Sequence, residues 1–199
     1  MKKLMLLTVF TVLGMSNVDA QGFGFGIKAG LNFASVDFDQ NISDINGRTT
    51  FHVGAMVDLD ISEKFSIQGE VLWSLQGYNV DALFFDDNEN IENVEITTKL
   101  DYINVPILAK YEFTEGLSAL VGPQIGFLIE ANSEFNDIDI ALSDGFNSTD
   151  ISGAVGLMYE IDNGLNVGAR YTFGLSDILD SDNADAKNYV VQLSVGYFF

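Results

Sequence analysis

Tyr189-Val190-Val191-Gln192-Leu193-Ser194-Val195-Gly196-Tyr197-Phe198-Phe199, the last stretch of the sequence, decides how the remainder is read. Tyr189, Val191, Leu193, Val195, Tyr197 and Phe199 fall on one face of an extended chain. Gln192, Ser194 and Gly196 fall on the other, with Val190 and Phe198 as departures. A period of two is the signature of a β-strand. One face suits hydrocarbon and the other a polar interior. A soluble sheet can carry the same alternation, so the reading depends on whether the pattern repeats.

It does. From Gly22 to Ser35, Phe23, Phe25, Ile27, Ala29, Leu31 and Phe33 alternate with Gly22, Gly24, Gly26, Lys28, Gly30 and Asn32. Glycines weaken a strand that has a core to fill, but in a narrow barrel small inward residues make room for larger neighbours. Similar segments cover 51–61, 65–76, 103–113, 117–130, 151–161 and 165–175. They are joined by the short turns Ser62-Glu63-Lys64, Thr114-Glu115-Gly116 and Asp162-Asn163-Gly164. The polar stretches Phe38 to Arg48, Val80 to Thr97, Asn132 to Ser148 and Asp177 to Lys187 predict loops at the opposite end.

Each segment reaches the ~9 to 11 residues that a tilted membrane strand needs. Short turns at one end and long loops at the other are the asymmetry of outer-membrane barrels. The expected fold is all-β: an eight-stranded antiparallel up-and-down transmembrane β-barrel, closed so that no edge is left unpaired in lipid. Its termini then lie on the short-turn, periplasmic side. Aromatic residues sort to two levels, with Phe113, Tyr159, Tyr197 and Phe199 toward the short turns. Phe33, Phe51, Trp73, Phe127 and Phe173 lie toward the long loops, which predicts two interfacial girdles.

The 199 residues are 47% hydrophobic, carry nine Lys plus Arg against 29 Asp plus Glu, and contain no cysteine. Thiol catalysis, thiolate metal sites and disulfides are excluded. A net charge of −20 argues against nucleic acid, whose phosphates would be repelled. Lys2 and Lys3, the apolar run Leu4 to Met15, and Val18-Asp19-Ala20 predict a signal peptide over 1–20, leaving residues 21–199 as the barrel domain.

Five stretches carry a family resemblance: Gly26-Ile27-Lys28-Ala29-Gly30-Leu31-Asn32, Leu100-Asp101-Tyr102-Ile103-Asn104-Val105-Pro106, Val121-Gly122-Pro123-Gln124, Arg170-Tyr171 with Gly174-Leu175, and Gly196-Tyr197-Phe198-Phe199. On these the chain resembles the PorT-like outer-membrane β-barrel family, and more distantly the small OmpA/OmpX-type barrels. The resemblance implies fold and location. It also implies that Tyr197 and Phe199 act as the assembly signal read by the barrel-assembly machinery. No residue here marks the secretion role of the founding member.

Lys28, Glu70, Lys110, Glu130, Glu160 and Arg170 fall on inward positions. Charges inside a narrow barrel must be paired and hydrogen-bonded, which predicts a polar plug. Pro106 and Pro123 pair close together and predict a weak seam between two neighbouring strands. His52, the sole histidine, lies inward near the loop end, but no nucleophile or base partners it. No catalytic, cofactor or metal site is therefore assigned.

The loops are acidic, with Asp86, Asp87, Glu89, Glu92 and Glu95, then Asp137, Asp139 and Asp144, then Asp180, Asp182 and Asp185. They lack the spacing of a calcium loop; bridging by divalent cations to lipid stays open. Phe84 and Phe85 form a candidate partner contact.

These features predict a structural or interaction protein whose partners are outer-membrane lipid, the assembly machinery during biogenesis and an extracellular or envelope protein met through the loops. A narrow pore or secretion accessory is the alternative. A soluble lipocalin-like barrel is a second, and it calls for the reverse distribution of large and polar residues.

Overall fold

The computed structural model describes residues 22–38, 45–85, 91–135, 138–142, 145–161, 163–180 and 185–199. The predicted signal peptide lies outside them. The strands are β1 (Phe23–Phe38), β2 (Ile45–Ser62), β3 (Phe65–Phe85), β4 (Ile91–Thr114), β5 (Leu117–Phe135), β6 (Ile138–Ala141), β7 (Thr149–Glu160), β8 (Leu165–Gly174) and β9 (Ala186–Phe198).

Eight of them form a closed antiparallel ring in which β1 to β5 follow one another, then β7, β8 and β9, with β9 returning to β1. The closing seam runs from Gly26 opposite Phe198 to Phe38 opposite Ala186. The ninth strand, β6, pairs with the loop end of β5 from Asn132 opposite Ala141 to Phe135 opposite Ile138. It falls where a loop was expected.

Alternation does what the sequence requires of it. Ile27, Leu31, Val53, Val71, Ile107, Val121, Leu157, Val167, Leu193 and Val195 all point away from the ring and are exposed, so every ring strand contributes to one apolar outer belt. Water-soluble monomers rarely expose so large a continuous apolar surface; hydrocarbon is its natural solvent. The distribution is the reverse of a lipocalin's. Phe33, Phe51, Trp73, Phe113, Phe127 and Tyr159 are exposed outward, as girdle residues must be.

Turn chemistry fixes the register at the short-turn end. Asn163 and Gly164 take φ of 84° and 83°, the double positive-φ geometry for which an Asn-Gly pair is the preferred solution.

At the loop end the strands run past expectation. β3, β4 and β5 have 21, 24 and 19 residues, against 12 and 10 in β7 and β8. The stretch Val80 to Thr97, predicted as a loop, is largely the two arms of a hairpin, with Val80 opposite Ile96 and Asp81 opposite Glu95. Its acidic composition suggested a loop, yet strand pairing uses backbone groups, and side-chain amides here engage the carboxylates. Asn79 Nδ2 donates to Glu95 Oε1 at 3.2 Å and Asn46 Nδ2 to Asp81 Oδ2 at 3.0 Å.

Two irregularities matter. In β5 the register slips between Asp101 opposite Glu130 and Tyr102 opposite Leu128, leaving Ile129 as an extra residue; such a bulge reverses which side chains face inward beyond it. The second flanks β4. Pro106 lies opposite Gln124, but pairing lapses at Glu70–Val71 against Val105–Pro106 on one side. On the other it lapses at Ile107–Leu108 against Gly122–Pro123. Each lapse contains a proline, which has no N–H to donate. A Cβ at Gly122 would collide with the carbonyl oxygen of Ile107, so only glycine lets the strands stay apposed there.

Hydrogen exchange checks this seam. With one or two bonds missing at ~1 kcal/mol each, the amides of Val71, Ile107 and Leu108 are expected to exchange about tenfold faster than Ala169 and Leu193 in the uninterrupted β8–β9 ladder. Uniform protection across all five would rule the seam out.

Candidate functional site

Among the described residues, the lumen is where this fold gathers polar side chains out of water. Glu70 on β3 is its hub. Lys28 Nζ on β1 donates to Glu70 Oε1 at 3.0 Å, and Gln68 Nε2 donates to the same oxygen at 2.5 Å. From β8, Arg170 closes a two-pronged contact, Nη1 to Oε2 at 2.8 Å and Nη2 to Oε1 at 2.5 Å. This fork matches the carboxylate plane. Going round the ring in either direction, β3 and β8 are four strands apart. The Glu70–Arg170 pair therefore braces the barrel across its full width.

A second cluster lies nearer the short turns. Lys110 Nζ on β4 meets Asp58 Oδ2 of β2 at 2.6 Å and Glu160 Oε2 of β7 at 3.4 Å. Its ammonium also sits 5.4 Å from the centre of the Phe198 ring. Lys28, Arg170 and Lys110 against Glu70, Asp58 and Glu160 sum to zero formal charge.

Toward the loops the network turns neutral. Asn32 Nδ2 donates to Ser74 Oγ at 3.0 Å and to the Leu75 carbonyl at 2.8 Å, while its Oδ1 accepts from Gln192 Nε2 at 3.0 Å. His52 lies in the same layer, with Nδ1 at 2.8 Å from Asn32 Oδ1 and Nε2 at 3.1 Å from Ser194 Oγ. An amide oxygen only accepts, so Nδ1 carries the proton and Nε2 accepts from the serine. His52 is 1% exposed and both nitrogens are engaged. Gln76 and Asn188 are also hydrogen-bonded, continuing the layer upward.

The interior also holds apolar layers on either side of its polar network. At the short-turn end Leu108, Leu120, Ala154 and Met158 pack with Phe198 into an apolar floor. At the loop end Val36, Leu100, Tyr102, Ala131, Phe146, Ile178 and Ala186 form an apolar roof. Phe146 and Ile178 come from the segments after β6 and β8. Asn147 ties those segments together: its backbone N–H donates to the Ile178 carbonyl at 2.8 Å, and its Nδ2 to the carbonyls of Asp177 at 3.0 Å and Leu179 at 2.9 Å. The signal for both layers was present as even-numbered apolar residues, Leu100, Leu108 and Leu120 among them, on otherwise polar inward positions.

Of the six charged residues predicted to line the lumen, Lys28, Glu70 and Arg170 form one cluster, and Lys110 with Glu160 belongs to the other. Glu130 does not reach the interior. It is exposed, its Oε1 taking a hydrogen bond from Asn132 Nδ2 at 2.6 Å, because the bulge at Ile129 reverses the alternation and turns Ala131 inward instead. Tyr197 and Phe199 face outward at the closing seam, where Phe199 stacks on Phe25 at 5.8 Å. Among the loop acids, Asp86, Asp87, Glu89, Asp137, Asp144 and Asp182 lie outside the described residues. Phe84 and Phe85 belong to β3, opposite Glu92 and Ile91.

Replacing Glu70 by alanine strands two buried cations. The expected cost is about 3 to 5 kcal/mol of unfolding free energy, read as a lower denaturant midpoint for the barrel in micelles, with Glu70→Gln in between. A midpoint unchanged in Glu70→Ala would mean that the hub contributes nothing to stability.

Residues 17–180 match the family model described as outer membrane protein beta-barrel domain. Among solved structures the fold is similar to Neisserial surface protein A, at 11% identity and a TM-score of 0.58, covering 88% of this chain and 97% of that one. It is also similar to Ail, the attachment invasion locus protein of Yersinia pestis, at 16% identity and a TM-score of 0.52, covering 89% and 99%. At such identities the likeness is one of fold. No curated protein sequence matches the chain.

Proposed function

The chain belongs to the outer membrane protein beta-barrel domain family, and from that premise we propose that it is a closed, non-conducting barrel whose task is to hold an interaction surface outside the outer membrane. The observation that carries this reading is the overshoot of β3, β4 and β5. A membrane strand needs ~9 to 11 residues, and β4 alone has 24. The surplus, with the loop end of β2 and with β6, makes a sheet that serves no purpose in closing the ring.

The filled lumen supports the same reading. Floor, ion-paired hub and roof fill the lumen with side chains, and the pocket beside Lys28 and Arg170 has room for about 10 Å³, about one water at most. The sheet also has a usable edge. Leu142 N–H bonds back to the Ala131 carbonyl, so by alternation Asp139 and Ala141 turn their backbone groups away from β5, toward a side where no strand pairs among the described residues. An extended partner segment can add there, and Asp81, Glu95 and Glu134 on this sheet favour a cationic one.

Within the family we read the chain as a PorT-like barrel. Residues 1–20 are removed on export, the termini and short turns face the periplasm, and Tyr197 and Phe199 guide assembly. No catalytic step or cofactor enters this reading.

Two measurements test it. Purified barrel in planar bilayers is expected to give no unitary conductance steps, and a steady open channel would overturn closure. The sequence has no cysteine, so single substitutions report orientation cleanly. Ala141→Cys is expected to react with a membrane-impermeant maleimide on intact cells, and Glu63→Cys, in the β2–β3 turn, only after permeabilisation. The reverse pattern would invert the topology.

A further inference from the structure

A groove of about 510 Å³ opens on the outer wall of the barrel between Ser35, Val36 and Asp37 of β1 and the rings of Tyr171 and Tyr189. It is a shallow, open depression rather than an enclosed cleft. Ser35 lies opposite Tyr189, Asp37 opposite Lys187, and Phe173 opposite Tyr189, which places the groove at the loop-end limit of the lipid-facing belt. Phe33 and Val191, one step toward the membrane centre, are exposed apolar residues of the belt itself.

We propose that this groove seats the saccharide headgroup of an outer-leaflet glycolipid. Its position commits it to a membrane lipid, because it is continuous with the surface that acyl chains cover. Its composition then separates one lipid class from another. Ser35, Asp37 and two phenol hydroxyls stand next to the apolar belt at Phe33 and Val191, and hydrocarbon laid against them would leave hydrogen-bonding capacity unused. A sugar ring satisfies both halves of the site. Its C–H face meets the negative face of an aromatic ring, and its hydroxyls donate to the Asp37 carboxylate and exchange bonds with Ser35 and the tyrosines.

The aromatic arrangement fits this use. Tyr171 and Tyr189 stack with centroids 6.2 Å apart and planes 17° from parallel, and Tyr171 is 6.1 Å from Phe173 at 31°. The two tyrosine planes are thus nearly parallel, and both rings line the groove, with Phe173 tilted beside them. On another wall, Phe51 and Trp73 meet edge to face at 5.7 Å and 87°, and neither lines this groove. Lys187, facing Asp37 across the β1–β9 seam, is placed to meet a phosphate on the same headgroup.

The assignment to the outer leaflet rests on the orientation proposed above, but the test does not. The chain folded in detergent micelles is incubated with rough-type lipopolysaccharide or with phosphatidylglycerol, and retained lipid is counted by native mass spectrometry. Heat-modifiable mobility verifies folding of each variant. One lipopolysaccharide per barrel is expected, with retention falling about tenfold in the Tyr171→Ala, Tyr189→Ala double variant. A similar fall is expected in Ser35→Leu, which fills the groove while leaving the aromatics in place and serves if the double variant does not fold. Phe51→Ala is expected to retain the lipid. Equal retention by groove variants and the unaltered chain, or of phosphatidylglycerol and lipopolysaccharide, overturns the proposal. Binding that survives while cysteine labelling inverts overturns the orientation alone.

Discussion

Backbone polar groups cannot be left open in hydrocarbon, and the rest of this structure depends on that constraint. Each unpaired N–H or C=O in the bilayer core costs several kcal/mol, so a sheet must close on itself. Closure is delivered by the β1–β9 seam and by the β4–β5 ladder. The price of closure is curvature, and glycines meet it where strands press together, as Gly122 does against Ile107. The prolines on β4 and β5 weaken the ring in the only way it tolerates. The gaps are brief, they adjoin one strand, and regular pairing resumes on both sides.

Closure creates an interior that must then be filled. An eight-stranded ring leaves a space just wide enough for side chains, and alternation forces every second residue into it. Unlike a soluble core, this one must accept the polar face, because the apolar face is committed to lipid. Buried charges are stable only when paired, and the lumen meets this with cross-barrel contacts rather than neighbouring ones. Glu70 and Arg170 come from opposite walls, and Lys110 joins β2 to β7. Apolar layers at both ends shield the Glu70 hub from bulk water, where its contacts would be weaker, while Glu160 of the second cluster stays partly exposed. The same arrangement that braces the cylinder also closes it.

The ring was legible in the sequence because lipid demands an unbroken apolar face on every strand, and period-two alternation records that demand directly. The facing of Lys28, Glu70 and Arg170 followed from the same count. Glu130 was misplaced because an extra residue leaves no mark on composition; Ile129 looks like any outward isoleucine until the register is seen. His52 drew attention as a lone ionisable ring, and its partners Asn32 and Ser194 could not be found by proximity in sequence, being 20 and 142 positions away. The hairpin of β3 and β4 was hidden for a different reason. Outside the bilayer the outward face no longer needs to be apolar, so a strand there loses the very signal by which strands were recognised.

That loss of signal marks the membrane boundary, strand by strand. On β4 the outward residues run Ile107, Val105, Ile103 and then Asp101 and Lys99; on β1 they run Leu31, Phe33 and then Ser35 and Asp37. The pairing continues across these points, so a single sheet passes from hydrocarbon into water without a change of backbone structure. Above the boundary, β6 and the far arm of β3 are held in place by strands anchored below it, which gives an acidic, solvated sheet a rigidity that an isolated hairpin lacks. The groove between β1, β8 and β9 sits on the boundary itself. There the side chains change from those that need lipid to those that need hydrogen bonds, and the Tyr171–Tyr189 pair serves both, since each ring is apolar in its body and polar at its tip.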